Sequence, residues 1–200
     1  MTRTAFDTLL GAFRDLHAAT PALQEFCAMH SVPAPQPVAP HHIPAADLMK
    51  KGANLAASPA TAALRDAFIA AGPHAQWRET YKGTSLGEVF RERFGCYCLI
   101  GDGGPFASND MSAYFVHLPA SFHYPFHHHS AEEIYFVLAG QAEFELDGQP
   151  PETLAPGDHV FHPSNHPHAT TTGDLGMMAL VLLRGDLETR PVWTYPESIA

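Results

Sequence analysis

The run His127-His128-His129-Ser130-Ala131-Glu132-Glu133-Ile134-Tyr135 gathers side chains suited to holding a divalent ion. Neutral imidazole nitrogens and a carboxylate are the donors such an ion takes from a protein, with metal–nitrogen bonds of about 2.1 Å. Read as a strand, the run alternates faces, so His127, His129, Ala131, Glu133 and Tyr135 share one side. His128, Ser130, Glu132 and Ile134 share the other, and His128 is expected at the surface. Ala131 is small enough to leave room for an ion or its ligand. His127, His129 and Glu133 are therefore the candidate ligands from this stretch.

A further ligand is expected from a neighbouring strand. Pro156-Gly157-Asp158 reads as a turn, 159–162 as a strand, and 163–167 as a loop that leads into His168. His168 opens the returning strand and is the expected fourth ligand. His159, His162 and His166 compete with it, and His162 faces inward if the register slips by one residue. His41 and His42 lie in a proline-rich loop and are expected at the surface.

The elements that position these groups follow from periodicity. Phe6, Leu9, Leu10, Phe13 and Leu16 recur at spacings of three and four, which predicts a helix over residues 4–18. Thr20-Pro21 ends it and starts a second helix to about residue 30. Residues 31–44 carry five prolines and no period, a loop or linker. Helical patterns return over 45–56 and 60–71, the latter stopped by Gly72-Pro73. After that, short runs rich in Val, Phe, Tyr, Thr and Leu alternate with turn residues, predicting strands at 77–81, 96–100, 113–118, 132–138, 142–146, 159–162, 169–172 and 177–184. Asp147-Gly148 is a hairpin signal and Ala139-Gly140 a turn. Residues 1–73 thus form a helical region, a cap or dimerisation element within the same domain, and residues 74–200 an antiparallel β-barrel.

Bulk properties narrow the class. A net charge of −10 speaks against nucleic acid and anionic membrane as partners, since both select for Lys and Arg. No apolar stretch reaches the ~18 residues of a membrane span, and the N-terminus lacks a signal-peptide pattern. Three cysteines, Cys27, Cys96 and Cys98, make no disulfide framework and suit a reducing, cytoplasmic setting.

The first motif resembles the cupin pattern H-x-H-x3-E-x6-G through His127, His129, Glu133 and Gly140. The second resembles the other cupin motif through Pro156, Gly157, Asp158, Pro163, Pro167 and His168, with Asn165 where glycine is usual and Thr172 in place of a terminal Asn. The fold this implies is mainly β: a cupin jelly-roll barrel with an N-terminal helical region, holding one divalent transition metal (Fe(II), Zn, Mn, Ni or Co).

Cupins host many reactions, so the residues around the metal decide. Tyr135 lies on the ligand face, Tyr124 precedes the His run, and Trp193 and Tyr195 lie near the C-terminus in Pro-Val-Trp-Thr-Tyr-Pro. A cation lowers a nearby phenol from its ordinary value of about 10, and a phenolate can remove a carbon-bound proton. The segment His123-Tyr124-Pro125-Phe126 running into the His cluster, with Tyr135 beyond the glutamate, resembles the cupin-type dimethylsulfoniopropionate (DMSP) lyases. The resemblance implies β-elimination of this zwitterionic sulfonium carboxylate to dimethyl sulfide and acrylate. It implies Tyr124 as the base and Tyr135 lining or ligating the metal. Trp193, Tyr195 and Phe126 are expected to hold the sulfonium by cation–π contact at ~0.5–2 kcal/mol each. Phe136 lies on the outer face by parity. The rival readings are an Fe(II) cupin dioxygenase acting on a small thiol or carbonyl compound, and a non-catalytic cupin that binds a small molecule. The protein is a possible homodimer.

Overall fold

Alternation along three long strands builds the molecule in layers. The computed structural model describes residues 2–29, 33–51 and 54–195. Strands β4 (Met111–Leu118), β6 (Glu132–Gly140) and β11 (Met177–Arg184) lie side by side, β11 pairing antiparallel with both others. On β6, Ile134, Phe136 and Leu138 face one apolar cluster while Tyr135 and Val137 face another. On β11, Met178, Leu180 and Leu182 split from Met177, Ala179 and Val181 in the same way. Both faces are buried, so these strands read as continuous apolar runs.

Around them forms a seven-stranded sheet in the order β1-β3-β2-β4-β11-β6-β9, with β1 Ala34–Pro35, β2 Gly95–Ile100, β3 Phe106–Ala107 and β9 His159–His162. A five-stranded sheet has the order β12-β5-β10-β7-β8, with β5 His123–His128, β7 Ala142–Leu146, β8 Glu152–Leu154, β10 His168–Thr171 and β12 Val192–Trp193. The inner cluster, including Val116, Leu118, Val137, Phe144, Met177 and Val181, draws on strands of both sheets. The mainly-β cupin barrel expected from the motifs is the architecture formed.

The outer face of the larger sheet carries the helices. The apolar stripe of α1 (Thr2–Ala19) is buried with Leu23 and Phe26 of α2 (Pro21–Phe26), Met49 of α3 (Ala45–Lys51) and Phe68 of α4 (Ala62–Ala71) in the cluster that contains Phe115, Phe136 and Leu180. Phe136 thus stands on the outer side, as parity requires. Helix α2 stops at Phe26, and residue 30, where the sequence pattern carried it, lies outside the described residues. Helix α3 stops at Lys51, next to residues 52–53, which also lie outside them. No helix among the described residues is long and apolar enough to cross a membrane.

Three local expectations change. Residues 77–81 are no strand: Trp77 makes an isolated bridge to Tyr97, its indole N–H donates to the Gly72 carbonyl at 2.8 Å, and the chain then turns through Tyr81 (φ 61°) and Gly83 (φ 87°). Its aromatic residues imitate a strand pattern but are placed by packing, Trp77 lying edge-on to Tyr97 at 5.0 Å. A helix, α5 (Gly87–Arg93), follows inside the barrel region and buries Phe90. The run 127–135 is also not one strand. His127 and His128 end β5 in the smaller sheet, Glu132 starts β6 in the larger one, and residues 129–131 cross between them.

Candidate metal centre

The crossover brings His129 close to Glu133, which a single straight strand would hold four residues apart, and β10 adds His168. His129 Nε2 lies 3.6 Å from Glu133 Oε1, and His168 Nε2 lies 3.3 Å from Glu133 Oε2. One donor atom from each of His129, Glu133 and His168 falls within 4.8 Å of the others, and all three residues are buried. His127 adjoins this group but stands outside that 4.8 Å set: its ring is 4.2 Å from that of His168 and 6.3 Å from that of His129.

β5 brings His127 in through a bulge. His168 pairs with His127, but Thr170 pairs with Tyr124, so β5 spends one residue more than β10 over the same span. Pro125 sits in that irregular stretch, where a missing N–H is tolerated. The bulge breaks alternation and turns both Tyr124 and His127 inward. Their rings stack at 3.9 Å with planes 3° apart.

The imidazoles are oriented by their other nitrogens. A carbonyl only accepts, so each nitrogen bonded to one carries the proton. Nδ1 of His127 donates to Pro125 O at 2.9 Å, Nδ1 of His129 to Ala131 O at 2.9 Å, and Nδ1 of His168 to His166 O at 2.9 Å. Each leaves Nε2 as the nitrogen for a metal, and backbone-anchored Nδ1–H is how metal-binding imidazoles are held. His168 Nε2 is buried without a hydrogen-bond partner, which suits a nitrogen that serves an ion. The imidazoles of His129 and His168 with the Glu133 carboxylate form a donor set that fits a divalent transition metal, and His127 lies beside it.

His162 also donates through Nδ1 and has a buried, unpartnered Nε2, but its acceptor is the Glu133 carboxylate and not a backbone carbonyl. It pairs directly with Glu133 across β6 and β9, so it faces inward with no slip of register, and its Nδ1 donates to Glu133 Oε2 at 2.7 Å. Its ring stacks on His168 at 4.0 Å. His162 thus holds the carboxylate. Of the other histidines weighed for the fourth position, His159 is exposed and His166 Nε2 bonds the Asp147 carbonyl at 3.1 Å. His41 and His42 are exposed and pair with Glu79 and Asp47. His128, expected at the surface, is half-buried, and its Nδ1 meets Thr194 Oγ1 at 2.9 Å.

Between protein groups alone, burial opposes the Glu133 charge, but His129, His162 and His168 outweigh it and hold the carboxyl well below its ordinary value. Burial likewise opposes a charged His129, yet the Glu133 carboxylate raises it overall. Burial keeps His127 far below the ordinary histidine value and His162 at about 4, so both stay neutral.

Aromatic residues flank the centre on one side. Tyr124, Phe90, Trp193 and Tyr81 pack together: Trp193 stacks on Tyr81 at 3.9 Å and lies 6.1 Å from Tyr124. Strand β12 delivers Trp193 by pairing it with His127. Tyr135 is buried beyond Glu133, its ring 5.5 Å from His162 and 5.4 Å from Phe144. Burial raises the phenols of Tyr81, Tyr124 and Tyr135. Phe126 and Tyr195 pack against each other instead, at 5.8 Å, and the Tyr195 hydroxyl donates to Asp147 at 3.1 Å. Tyr81 and Phe90 lie outside every sequence motif. No local pattern marks them, because only the turn at 81 and helix α5 bring them to the barrel mouth.

Known proteins resemble this chain over most of its length. The family model for dimethylsulfoniopropionate lyase matches residues 17–179. A dimethylsulfoniopropionate lyase, DddQ of Ruegeria pomeroyi, is 61% identical over 199 residues, covering 98% of both chains. The crystal structure of DddQ from that organism superposes with a TM-score of 0.94 at 60% identity, covering 97% of this chain and 98% of that one. A second crystal structure, described among DMSP lyases RdDddP and RnDddQII, gives 0.91 at 34% identity, covering 97% and 100%.

Proposed function

The chain belongs to the dimethylsulfoniopropionate lyase family, and from that premise we infer that it is a carbon–sulfur lyase cleaving DMSP to dimethyl sulfide and acrylate. The observation that carries the reading is the buried cluster of His129, Glu133 and His168 beside the stacked Tyr124–His127 pair. His127, through an Nε2 left free by Pro125, completes the ligand set.

A divalent ion held there supplies Lewis acidity toward the substrate carboxylate and favours phenolate over phenol in the adjacent tyrosines. Imidazole and carboxylate donors accept Fe(II), Zn, Mn, Ni or Co. Tyr124 acts as the base. Its phenolate oxygen takes the proton on the carbon next to the carboxylate, the C–H pair becomes the new C=C bond, and the Cβ–S pair leaves with sulfur as neutral dimethyl sulfide. Trp193 and the Tyr124 ring offer π faces to the sulfonium, each worth ~0.5–2 kcal/mol. Tyr135, buried beyond Glu133, lines the centre and keeps water from the reacting carbon. The three free cysteines, Cys96 and Cys98 among them buried, suit a cytoplasmic enzyme.

Incubation of the purified metal-loaded protein with DMSP under nitrogen tests the function. Headspace dimethyl sulfide, with acrylate in equal amount, is the expected result. Turnover that requires oxygen would point to a dioxygenase, and binding without turnover to a non-catalytic cupin.

A further inference from the structure

The proposed base is itself held by a residue that no motif contains. The hydroxyls of Tyr81 and Tyr124 meet at 2.8 Å. The Tyr81 ring stacks on Trp193 at 3.9 Å with planes 25° apart and lies edge-on to Phe90 at 5.0 Å. One side chain therefore contacts the proposed base through its oxygen and a proposed sulfonium contact through its face.

The backbone holds Tyr81 in place at a cost. Its φ of 61° is left-handed, a conformation that bulky residues adopt only when their surroundings enforce it. Here they do. Thr84 N and Oγ1 both donate to the Tyr81 carbonyl, at 3.0 and 2.8 Å. Helix α5 starts against the same carbonyl, where a Cβ at Gly87 would lie 2.6 Å away. Packing alone would be met by phenylalanine, which would leave the Tyr124 oxygen without this partner.

We infer that Tyr81 is a positioning residue for the lyase reaction: its hydroxyl fixes the direction of the Tyr124 phenol oxygen, and its ring props Trp193. The inference rests on the reading of Tyr124 as the base. A phenol oxygen free to swing presents its lone pair to the substrate carbon only part of the time. Anchoring one side of the oxygen to Tyr81 leaves the other side aimed at the carbon, an effect felt in turnover more than in substrate affinity.

A double-mutant cycle of Tyr81→Phe and Tyr124→Phe tests this, with dimethyl sulfide release, metal content and thermal midpoint measured for every variant. Tyr81→Phe should lower kcat about 5- to 10-fold, the worth of one ordinary hydrogen bond, with KM and metal content unchanged and the midpoint lowered by no more than about 4 °C. In the Tyr124→Phe background the same substitution should have no further effect, because the oxygen it positions is gone. Tyr81→Leu, which also removes the ring, should add a rise in KM. Wild-type kcat in Tyr81→Phe while Tyr124→Phe is impaired would overturn the Tyr81 role alone. Multiplying losses in the double variant would overturn it too, since Tyr81 would then act independently. Undiminished turnover in Tyr124→Phe would remove the base and, with it, the residue said to position it.

Discussion

Replacing His162 separates a residue that orients a ligand from one that is a ligand. The His162 imidazole is fully buried and donates Nδ1–H to Glu133 Oε2 at 2.7 Å. His162→Leu removes that donor while roughly filling the space. A hydrogen bond to a charged group is worth about 1.5–3 kcal/mol, which corresponds to metal affinity weaker by about 10- to 150-fold. That range matches the usual cost of losing a group that orients a metal ligand. His162→Asn places an amide N–H near the position of Nδ1 and should restore most of the loss. His168→Ala, which deletes a nitrogen aimed at the ion, should cost more than His162→Leu. Metal affinity by titration against a competing chelator reads all three, with thermal denaturation checking that each variant folds. If His162→Leu were as damaging as His168→Ala and His162→Asn gave no recovery, His162 would itself be a ligand and its assignment from the hydrogen bond to Glu133 would fail.

Three further outcomes are expected. Tyr124→Phe should cut dimethyl sulfide production by about 10²- to 10⁴-fold, the range for a general base, with metal content unchanged; the same loss in Tyr135→Phe with Tyr124→Phe active would transfer the role to Tyr135. His117 is buried with Nδ1 unpartnered, and burial pushes it down to about 4. The unfolded imidazole binds a proton below about 6.5 while the folded one does not until about 4, so stability should fall on acidification through that window by up to roughly 3 kcal/mol. His117→Asn should flatten the dependence of the urea midpoint on pH, and an unaltered slope would contradict this. Gly140→Ala should leave little folded protein, a loss of more than about 2 kcal/mol by denaturation, because φ is 70° and a Cβ would meet the Gly176 carbonyl.

Much of the site could be read from sequence because period-two alternation is a local property. It places Glu133 and Tyr135 inward and Phe136 outward, as β6 does. The two departures from the second cupin motif also find local reasons. Asn165, standing where glycine is usual, has φ 58°, a conformation asparagine tolerates, and its N–H donates to the His129 carbonyl at 2.8 Å. Thr172 accepts from Phe122 N at 2.9 Å and donates to Pro119 O at 2.6 Å, tying β10 to the start of β5. Other features depend on partners distant in the chain. The bulge that turns Tyr124 and His127 to one side exists only against β10, and a single-strand reading of 127–135 misses it. The inward His162 follows from its pairing with Glu133, 29 residues away. Tyr81 meets Tyr124 across 43 residues through a turn that the strand pattern at 77–81 conceals.

The proposed reaction depends on a divalent ion at the His129, Glu133 and His168 group. The most direct measurement strips the protein with a chelator, then restores a divalent metal in steps while following dimethyl sulfide release under nitrogen. Activity should vanish on stripping, return in proportion to bound metal and level off at about one ion per chain. Full turnover in protein shown to contain no metal would contradict it.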